Sequence, residues 1–180
     1  MEKEKVSALK ERTEAKIDYA NLMLDELRRR PPGEGRGDPF ERAHEEAVLF
    51  HVIGAKDAFL QEINAAYDLG LAPAKITENN LAKALVKKGN NCPALQELMV
   101  LKKSESSWLN QAILLRNLGT HRAGPSRTFF VGGEDDDKVF YHNPRDPSRH
   151  IGEEDTHVYL EHCIQEMEAL ILRLRDTFSD

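Results

Sequence analysis

The sequence predicts an all-α protein: an up-and-down bundle of four or more helices with a small β-hairpin-like insert before the last helix. Long stretches carry apolar residues spaced three and four apart, and glycine or proline residues end these stretches. Hydrophobic residues make up 40% of the chain and charged residues 31%, which is typical of helices with one buried and one solvated face. A chain of 180 residues suits one helical-bundle domain, 1–180, with the insert at 119–152.

Two long amphipathic helices are expected in the first part of the chain. The first spans 3–30 and ends at a Pro-Pro-Gly stretch, which cannot continue a helix. The second spans about 39–69, with Asp38 as its N-cap and Pro39 at its first helical position. Gly70 is the expected C-terminal stop.

Shorter helices are expected in the middle of the chain, and a long one at its end. Thr77 opens a short helix that ends near Gly89. A helical stretch over 93–118 is interrupted by the polar residues 104–107, which form either a solvated turn of one helix or a break with a new cap. The last helix covers 154–178, where apolar residues alternate by four and three without a miss.

The segment 119–152 differs from the rest because it is rich in glycine and proline. Gly119 is expected to end the preceding helix. The runs 128–131 and 138–141 are rich in β-forming residues and are separated by glycines and acids. This pattern predicts a small hairpin on a helical scaffold.

Charge and cysteine content narrow the classes of function. The formal net charge of -6 does not attract nucleic acid to the whole surface, so any such binding needs a local basic patch. Cys92 and Cys163 lie in no C-x-x-C pair and are expected to be reduced thiols of a cytoplasmic protein. The chain has neither an apolar leader nor a run of 18 apolar residues, so we expect a soluble protein with no membrane partner.

One short basic stretch stands apart from this acidic background. Within 116–127 the charged residues are Arg116, Arg122 and Arg127, with no acid among them, and His121 lies between them. Arginine binds a phosphate through two parallel hydrogen bonds, and a histidine can move the proton of a ribose 2′-hydroxyl. The same residue types also stabilise the C-terminus of a helix, which is the alternative interpretation.

The string Arg116-Asn117-x-x-x-His121 resembles the signature of the HEPN superfamily of small helical bundles. That signature is an arginine, then a small polar residue, and a histidine after four to six intervening residues. In the family it lies where the penultimate long helix exits toward the last, and this chain places its string at the same point. The resemblance implies that Arg116 stabilises phosphate, His121 transfers a proton and Asn117 orients the site, while Arg122 and Arg127 would bind RNA or phosphate.

The resemblance also implies an activity and partners. Many members of that superfamily are metal-independent endoribonucleases, including toxins of toxin–antitoxin pairs, and others are non-catalytic binding modules. The active members dimerise so that two motifs form one composite site. For this chain we therefore expect a homodimer, RNA as a possible substrate, a possible cognate antitoxin protein, and no cofactor.

A metal-dependent helical-bundle enzyme is the third class of function that stays open. Glu41-x-x-His44 and Glu154-x-x-His157 have the spacing that di-iron carboxylate bundles use. Both pairs lie in the first turn of their predicted helices, where acidic residues commonly complement the helix dipole. The sequence analysis therefore predicts no metal site. Bound metal would favour this class, whereas RNA cleavage in chelator would favour the ribonuclease.

Overall fold

The computed structural model describes residues 2–31, 34–121, 124–133, 137–151 and 154–178, excluding the side chains of 2–5, 120 and 121. Within these residues the chain is mainly helical, as predicted, but it also contains a small sheet and is therefore not all-α. The elements are α1 (Glu2–Arg28), α2 (Pro39–Ala66), a 3-10 turn (Pro73–Lys75), α3 (Glu78–Lys88), α4 (Pro93–Lys103), α5 (Trp108–His121), β1 (Arg127–Phe129), β2 (Val139–Asn143), β3 (Asp146–His150) and α6 (Thr156–Asp176).

Several helix boundaries follow from the local sequence signals. The Asp38 carboxylate accepts a hydrogen bond of 2.8 Å from the Glu41 amide, which confirms Asp38 as the N-cap of α2. The Thr77 hydroxyl accepts one of 3.2 Å from the Asn80 amide and caps α3 in the same way. Gly89 ends α3 with a φ of 70°, a left-handed conformation that glycine adopts without a steric penalty.

The polar stretch 104–107 is a break with a new cap, the second of the two alternatives. It separates α4 from α5, and the Ser107 hydroxyl accepts a hydrogen bond of 3.1 Å from the Asn110 amide. The Asn110 side chain in turn donates a hydrogen bond of 2.6 Å to the Lys102 carbonyl, so the two helix ends are held together across the break. The predicted stretch over 93–118 is thus two helices.

Gly119 does not end a helix, contrary to the prediction, because α5 continues to His121. The reason for a glycine here is packing. A Cβ atom at Gly119 would lie 3.1 Å from side-chain carbons of Glu46 on α2. Glycine therefore allows the end of α5 to approach α2 closely.

The insert is a three-stranded antiparallel sheet in the order β1-β2-β3, not a two-stranded hairpin. Thr128 pairs with Phe140 between the first two strands, and His142 pairs with His150 between the last two. The third strand was missed because its sequence, Asp-Pro-Ser-Arg-His, has no β-branched or aromatic residue apart from the histidine ring. Pairing with β2, rather than intrinsic propensity, accounts for it.

The long helices pack side by side around an apolar core, as a bundle requires. Residues from α2, α5 and α6 are almost fully buried in it, among them Val52, Phe59, Leu60, Leu115, Leu160 and Met167. Cys92 and Cys163 are also buried, and both are free thiols. Burial raises the pKa of Cys163 to about 12, so this thiol is protonated at neutral pH and unreactive.

Ion pairs and close approaches show the directions of the helices. Arg28 at the end of α1 binds Glu161 near the start of α6, and Gly119 near the end of α5 approaches Glu46 near the start of α2. Four helix ends therefore lie at one end of the bundle: the C-terminal ends of α1 and α5 and the N-terminal ends of α2 and α6. In the described part of the chain, none of the helices has both the length and the apolar character needed to span a bilayer.

Candidate functional site

Two polar features lie at this end of the bundle, and the first is the C-terminal part of α5. Arg116 is half-buried and donates a hydrogen bond of 3.1 Å from Nη1 to the exposed Asn117 side-chain oxygen. Its Nη2 atom lies 4.0 Å from Oδ2 of Asp57 on α2. The first two residues of the predicted motif are thus joined directly, at the boundary between α5 and α2.

The third residue of the motif, His121, belongs to the last turn of α5, but its side chain lies outside the described residues, as does all of Arg122. At 3.6 residues per turn, positions 117 and 121 lie one turn apart on the same helical face, whereas positions 116 and 121 differ by roughly 140°. Asn117, which binds the guanidinium of Arg116, is therefore the described motif residue that shares a face with position 121.

A cavity of about 190 Å³ adjoins the end of α5. Its walls include Leu118 of α5, Gly124 beyond it, and His142 and Asn143 of β2. The His142 ring is held by Thr128 Oγ1, 2.6 Å from its Nε2, and by the Pro147 carbonyl, 2.8 Å from its Nδ1. The sheet therefore forms one wall of a concave surface beside the motif.

The last predicted phosphate ligand, Arg127, lies in a different environment from Arg116. It is on β1, and its side chain is 6% exposed. Its Nε donates a hydrogen bond of 3.0 Å to Oε2 of Glu45. Its guanidinium carbon lies 5.4 Å from the centre of the Tyr141 ring. The guanidinium thus contacts a carboxylate inside the protein instead of facing solvent.

Arg127 belongs to the second polar feature, a group of charged side chains between α2, α6 and the sheet, called here the polar network. Its members are Arg36, Glu41, Glu45, Arg127, Asp155 and His157. The loop before α2 supplies one arginine, α2 supplies both glutamates, and the start of α6 supplies the aspartate and the histidine. Charged groups enclosed in this way must be paired or hydrogen-bonded to be tolerated.

Glu41 is the most heavily contacted carboxylate of the polar network. It accepts a hydrogen bond from the Gly37 amide, and its Oε1 lies 2.8 Å from Nε of Arg36 and 2.9 Å from Nε2 of His157. Burial alone would raise the pKa of Glu41, but the contact with His157, the Gly37 amide and the charge of Arg36 together lower it below its usual value. Glu41 is therefore an anion at neutral pH.

Glu45 is one helical turn further along α2 and is only partly satisfied. Its Oε2 is bound by Arg127, whereas its Oε1 is buried with no hydrogen-bond partner among the described residues. Among the same residues, the hydroxyl of Tyr141 is likewise buried without a partner in hydrogen-bonding geometry. Burial, followed by the charge of Glu45, raises the pKa of Tyr141 well above its usual value, so the phenol stays neutral.

Asp155 connects the polar network to the start of α6. Its Oδ1 accepts a hydrogen bond of 2.9 Å from the His157 amide, which caps the helix. Its Oδ2 accepts bonds from the Val139 amide at 2.9 Å and from Arg36 Nη2 at 2.8 Å. The aspartate thus positions the histidine through the helix cap.

Ligand atoms of Glu41, Glu45 and His157 all lie within 4.8 Å of one another. A cavity of about 380 Å³ opens beside them, and Glu41, His157, Arg36 and Arg28 line part of its wall. One imidazole and two carboxylates next to a cavity can bind a metal ion or move a proton. This constellation was not among the sites predicted from the sequence.

The two Glu-x-x-His pairs of the sequence each contribute one residue to this group. Glu41 comes from the first pair and His157 from the second. His44 instead lies with its Nδ1 2.8 Å from the Phe40 carbonyl of its own helix, and Glu154 is exposed. Neither pair therefore acts as a unit with i, i+3 spacing.

A signal for Glu45 was nevertheless present in the sequence. Glu41, Glu45, Val48 and Val52 follow the three-four spacing of the buried face of α2. A carboxylate on an apolar helical face requires a buried partner, and that requirement marks it as unusual. The sequence does not indicate that the partners come from the sheet and from α6.

Fold and site together define a mainly helical bundle protein with a partly satisfied polar network and a short arginine-containing motif at the same end of the bundle. The chain belongs to DUF6586, a family of unknown function, whose model matches residues 8–180. No curated protein and no solved structure matches the chain.

Proposed function

We propose that the exit of α5 is an RNA-binding site at which the protein cleaves RNA without a metal ion. The observation that carries this proposal is the direct bond between Arg116 and Asn117, with residue 121 one turn beyond Asn117 on the same helix. The next residue, Leu118, lines the cavity at the end of α5. The resemblance of this string to the HEPN signature supports the assignment of roles. An exposed asparagine that holds a half-buried arginine can orient the guanidinium toward a phosphate.

The proposed reaction is transfer of the phosphodiester to the neighbouring ribose oxygen. His121 takes the proton of the 2′-hydroxyl, the 2′-oxygen attacks phosphorus, and the bond to the 5′-oxygen of the next nucleotide breaks. A protonated histidine then gives a proton to that leaving oxygen. The products are a 2′,3′-cyclic phosphate and a 5′-hydroxyl, and Arg116 stabilises the charge on the phosphate oxygens meanwhile.

A second copy of the chain completes this proposal. One histidine as base and another as acid require two motifs in one site, which a homodimer would supply. A dimer whose two α5 exits face each other is therefore part of the proposed active state. Light scattering at micromolar concentration tests it, and a monomer would contradict the composite site.

The test of activity is cleavage of a mixed-sequence RNA by the purified protein in excess chelator. Wild type is expected to leave cyclic phosphate ends, and Arg116→Ala and His121→Ala are each expected to slow cleavage by about 100-fold or more, since general acid–base groups contribute on that scale. Matched controls are Arg149→Ala and His162→Ala, because both residues are exposed and lie outside the site. The controls should cleave at the wild-type rate.

Three results would count against this function. Equal loss in the control variants, or cleavage that no variant alters, would assign the activity to instability or to a contaminating nuclease. Absence of cleavage by wild type would reject catalysis. RNA binding that persists in that case and weakens in Arg116→Ala would instead support a non-catalytic binding module.

A further inference from the structure

The polar network contains more ligand capacity than its own residues use. In the described part of the chain, Oε1 of Glu45 is buried without a hydrogen-bond partner, and Nε2 of His157, which is also buried, contacts only Oε1 of Glu41 at 2.9 Å. The Glu45 side chain is 1% exposed, so water from the bulk solvent does not satisfy it either. An unsatisfied carboxylate oxygen of this kind destabilises the folded chain unless a donor or a cation reaches it.

The network also has an uneven charge. The carboxylates of Glu41, Glu45 and Asp155 face two guanidinium groups, those of Arg36 and Arg127. The polar network thus contains one more carboxylate than guanidinium. A cation is therefore the species that would satisfy both the free lone pairs and the charge.

We propose that Glu41, Glu45 and His157 bind a divalent first-row transition-metal ion, for which Zn²⁺ is the probe. Their ligand atoms lie within 4.8 Å of one another. Two ligands of one zinc ion are at most about 4.2 Å apart, because each lies about 2.1 Å from it. Side-chain shifts of the order of 1 Å would bring the three ligand atoms to the spacing that one zinc ion requires. This inference does not rest on the proposed ribonuclease activity, which needs no metal.

The donor set selects the kind of ion. An imidazole nitrogen with two carboxylate oxygens suits Zn²⁺, Mn²⁺, Fe²⁺ or Co²⁺, whereas Mg²⁺ and Ca²⁺ prefer oxygen ligands alone. Three protein ligands leave a fourth position for water or a substrate. That position would face the 380 Å³ cavity, which Glu41 and His157 line.

The arginines next to the site orient its carboxylates. Arg127 holds Oε2 of Glu45 and leaves Oε1 for the ion, while Arg36 and the Gly37 amide fix the carboxylate of Glu41. Asp155 binds the His157 amide and so fixes the backbone position from which the His157 ring extends. Partners of this sort outside the ligand shell commonly change metal affinity by about 10–100-fold.

The test is titration of the full chain with Zn²⁺ by calorimetry and with Co²⁺ by visible absorption. Wild type is expected to bind one ion, with a Co²⁺ spectrum that lacks thiolate charge transfer because Cys92 and Cys163 take no part. Glu45→Gln and His157→Asn are each expected to weaken binding by more than about 100-fold, since removing a ligand costs more than disturbing an outer partner.

The matched controls are His44→Asn on α2 and Glu154→Gln just before α6, which change the same residue types outside the group. Both should bind the ion as wild type does. Failure of wild type to bind Zn²⁺, Mn²⁺ and Co²⁺ would overturn the site. Binding that survives in both ligand variants would place the ion on surface histidines and would also overturn it. If a variant fails to fold, the wild-type titration and Co²⁺ spectrum still decide.

Discussion

Two buried clusters of charge in this protein differ in how well they are satisfied. Lys56 on α2 and Glu78 at the start of α3 are both buried, and Lys56 Nζ lies 2.7 Å from Glu78 Oε1 and 2.7 Å from Asp57 Oδ1. In the polar network, by contrast, one carboxylate oxygen of Glu45 and the hydroxyl of Tyr141 have no hydrogen-bond partner among the residues that the structure describes.

The difference separates a structural ion pair from a candidate site. At Lys56 the ammonium group is shared between two carboxylates, and the pairing outweighs burial, so the pKa of this lysine is raised although burial alone would lower it. In the polar network the ligand atoms of Glu41, Glu45 and His157 lie within 4.8 Å of one another, and Glu41 and His157 line a cavity. Burial of charge alone therefore does not mark a site in this fold, whereas unpaired ligand atoms that converge do.

The largest effect is expected from breaking the satisfied pair. Lys56→Met leaves Glu78 buried with only Lys102, whose Nζ is 3.2 Å away and whose side chain is 45% exposed. We expect a loss of about 3 kcal/mol in the free energy of unfolding, since an uncompensated buried charge remains. Urea unfolding at pH 7 measures it.

The double variant Lys56→Met/Glu78→Leu is the control for this prediction. Replacing both charges by apolar side chains should return the stability to within about 1 kcal/mol of wild type. If the single variant unfolds at the wild-type urea concentration, the pair contributes nothing and the contrast between the two clusters fails.

Acid should weaken the same pair. Burial alone would raise the pKa of Glu78, but the hydrogen bond and charge of Lys56 lower it from 4.5 to about 2. A pKa that is lower in the folded than in the unfolded state gives stability that is full above about pH 4.5 and is lost as the pH falls toward 2. Glu78→Gln should therefore lose less unfolding free energy than wild type over this range.

Urea midpoints measured at several pH values, from about pH 5 down to about pH 2, test this difference, because carboxyl groups usually titrate in this range. Lys102→Ala serves as the control, because its exposed ammonium contributes about 1 kcal/mol or less. Parallel curves for wild type and Glu78→Gln would show that Lys56 does not hold Glu78 ionised in the folded state.

The smallest effect is expected in the polar network. Tyr141→Phe removes a hydroxyl that has no hydrogen-bond partner among the described residues. A satisfied buried hydrogen bond contributes about 1 kcal/mol, so this variant should change the free energy of unfolding by less than that. Thermal and urea unfolding test it. A loss of 2 kcal/mol or more, on the scale of a lost bond to a charged group, would show that Tyr141 binds Glu45 or Arg127 in solution.

The sequence predicted the helices well because their signals are local. The capping residues Asp38 and Thr77 and the glycine after α3 each act on the adjacent turn of helix, so neighbouring residues suffice to identify them. The third strand and the helical position of Gly119 depend on contacts with β2 and with Glu46. Such long-range contacts leave no local pattern.

The candidate sites divide in the same way. Arg116 and Asn117 are neighbours in the chain, so the motif on α5 could be identified from the sequence alone. The polar network joins residues from the loop before α2, from α2, from β1 and from the start of α6. The sequence spacing pairs Glu41 with His44 and Glu154 with His157, whereas the structure brings Glu41 to His157, because spacing along one helix says nothing about contacts between helices.

The several bonds of Asp155 have a consequence for how this end of the bundle opens. One carboxylate holds the first turn of α6 through the His157 amide, the first residue of β2 through the Val139 amide, and the loop before α2 through Arg36. If any one of these three segments moves away from Asp155, a buried or half-buried polar group loses its hydrogen bond. The helix start, the strand and the loop should thus fluctuate as one cooperative unit, so that local unfolding here is an all-or-none event.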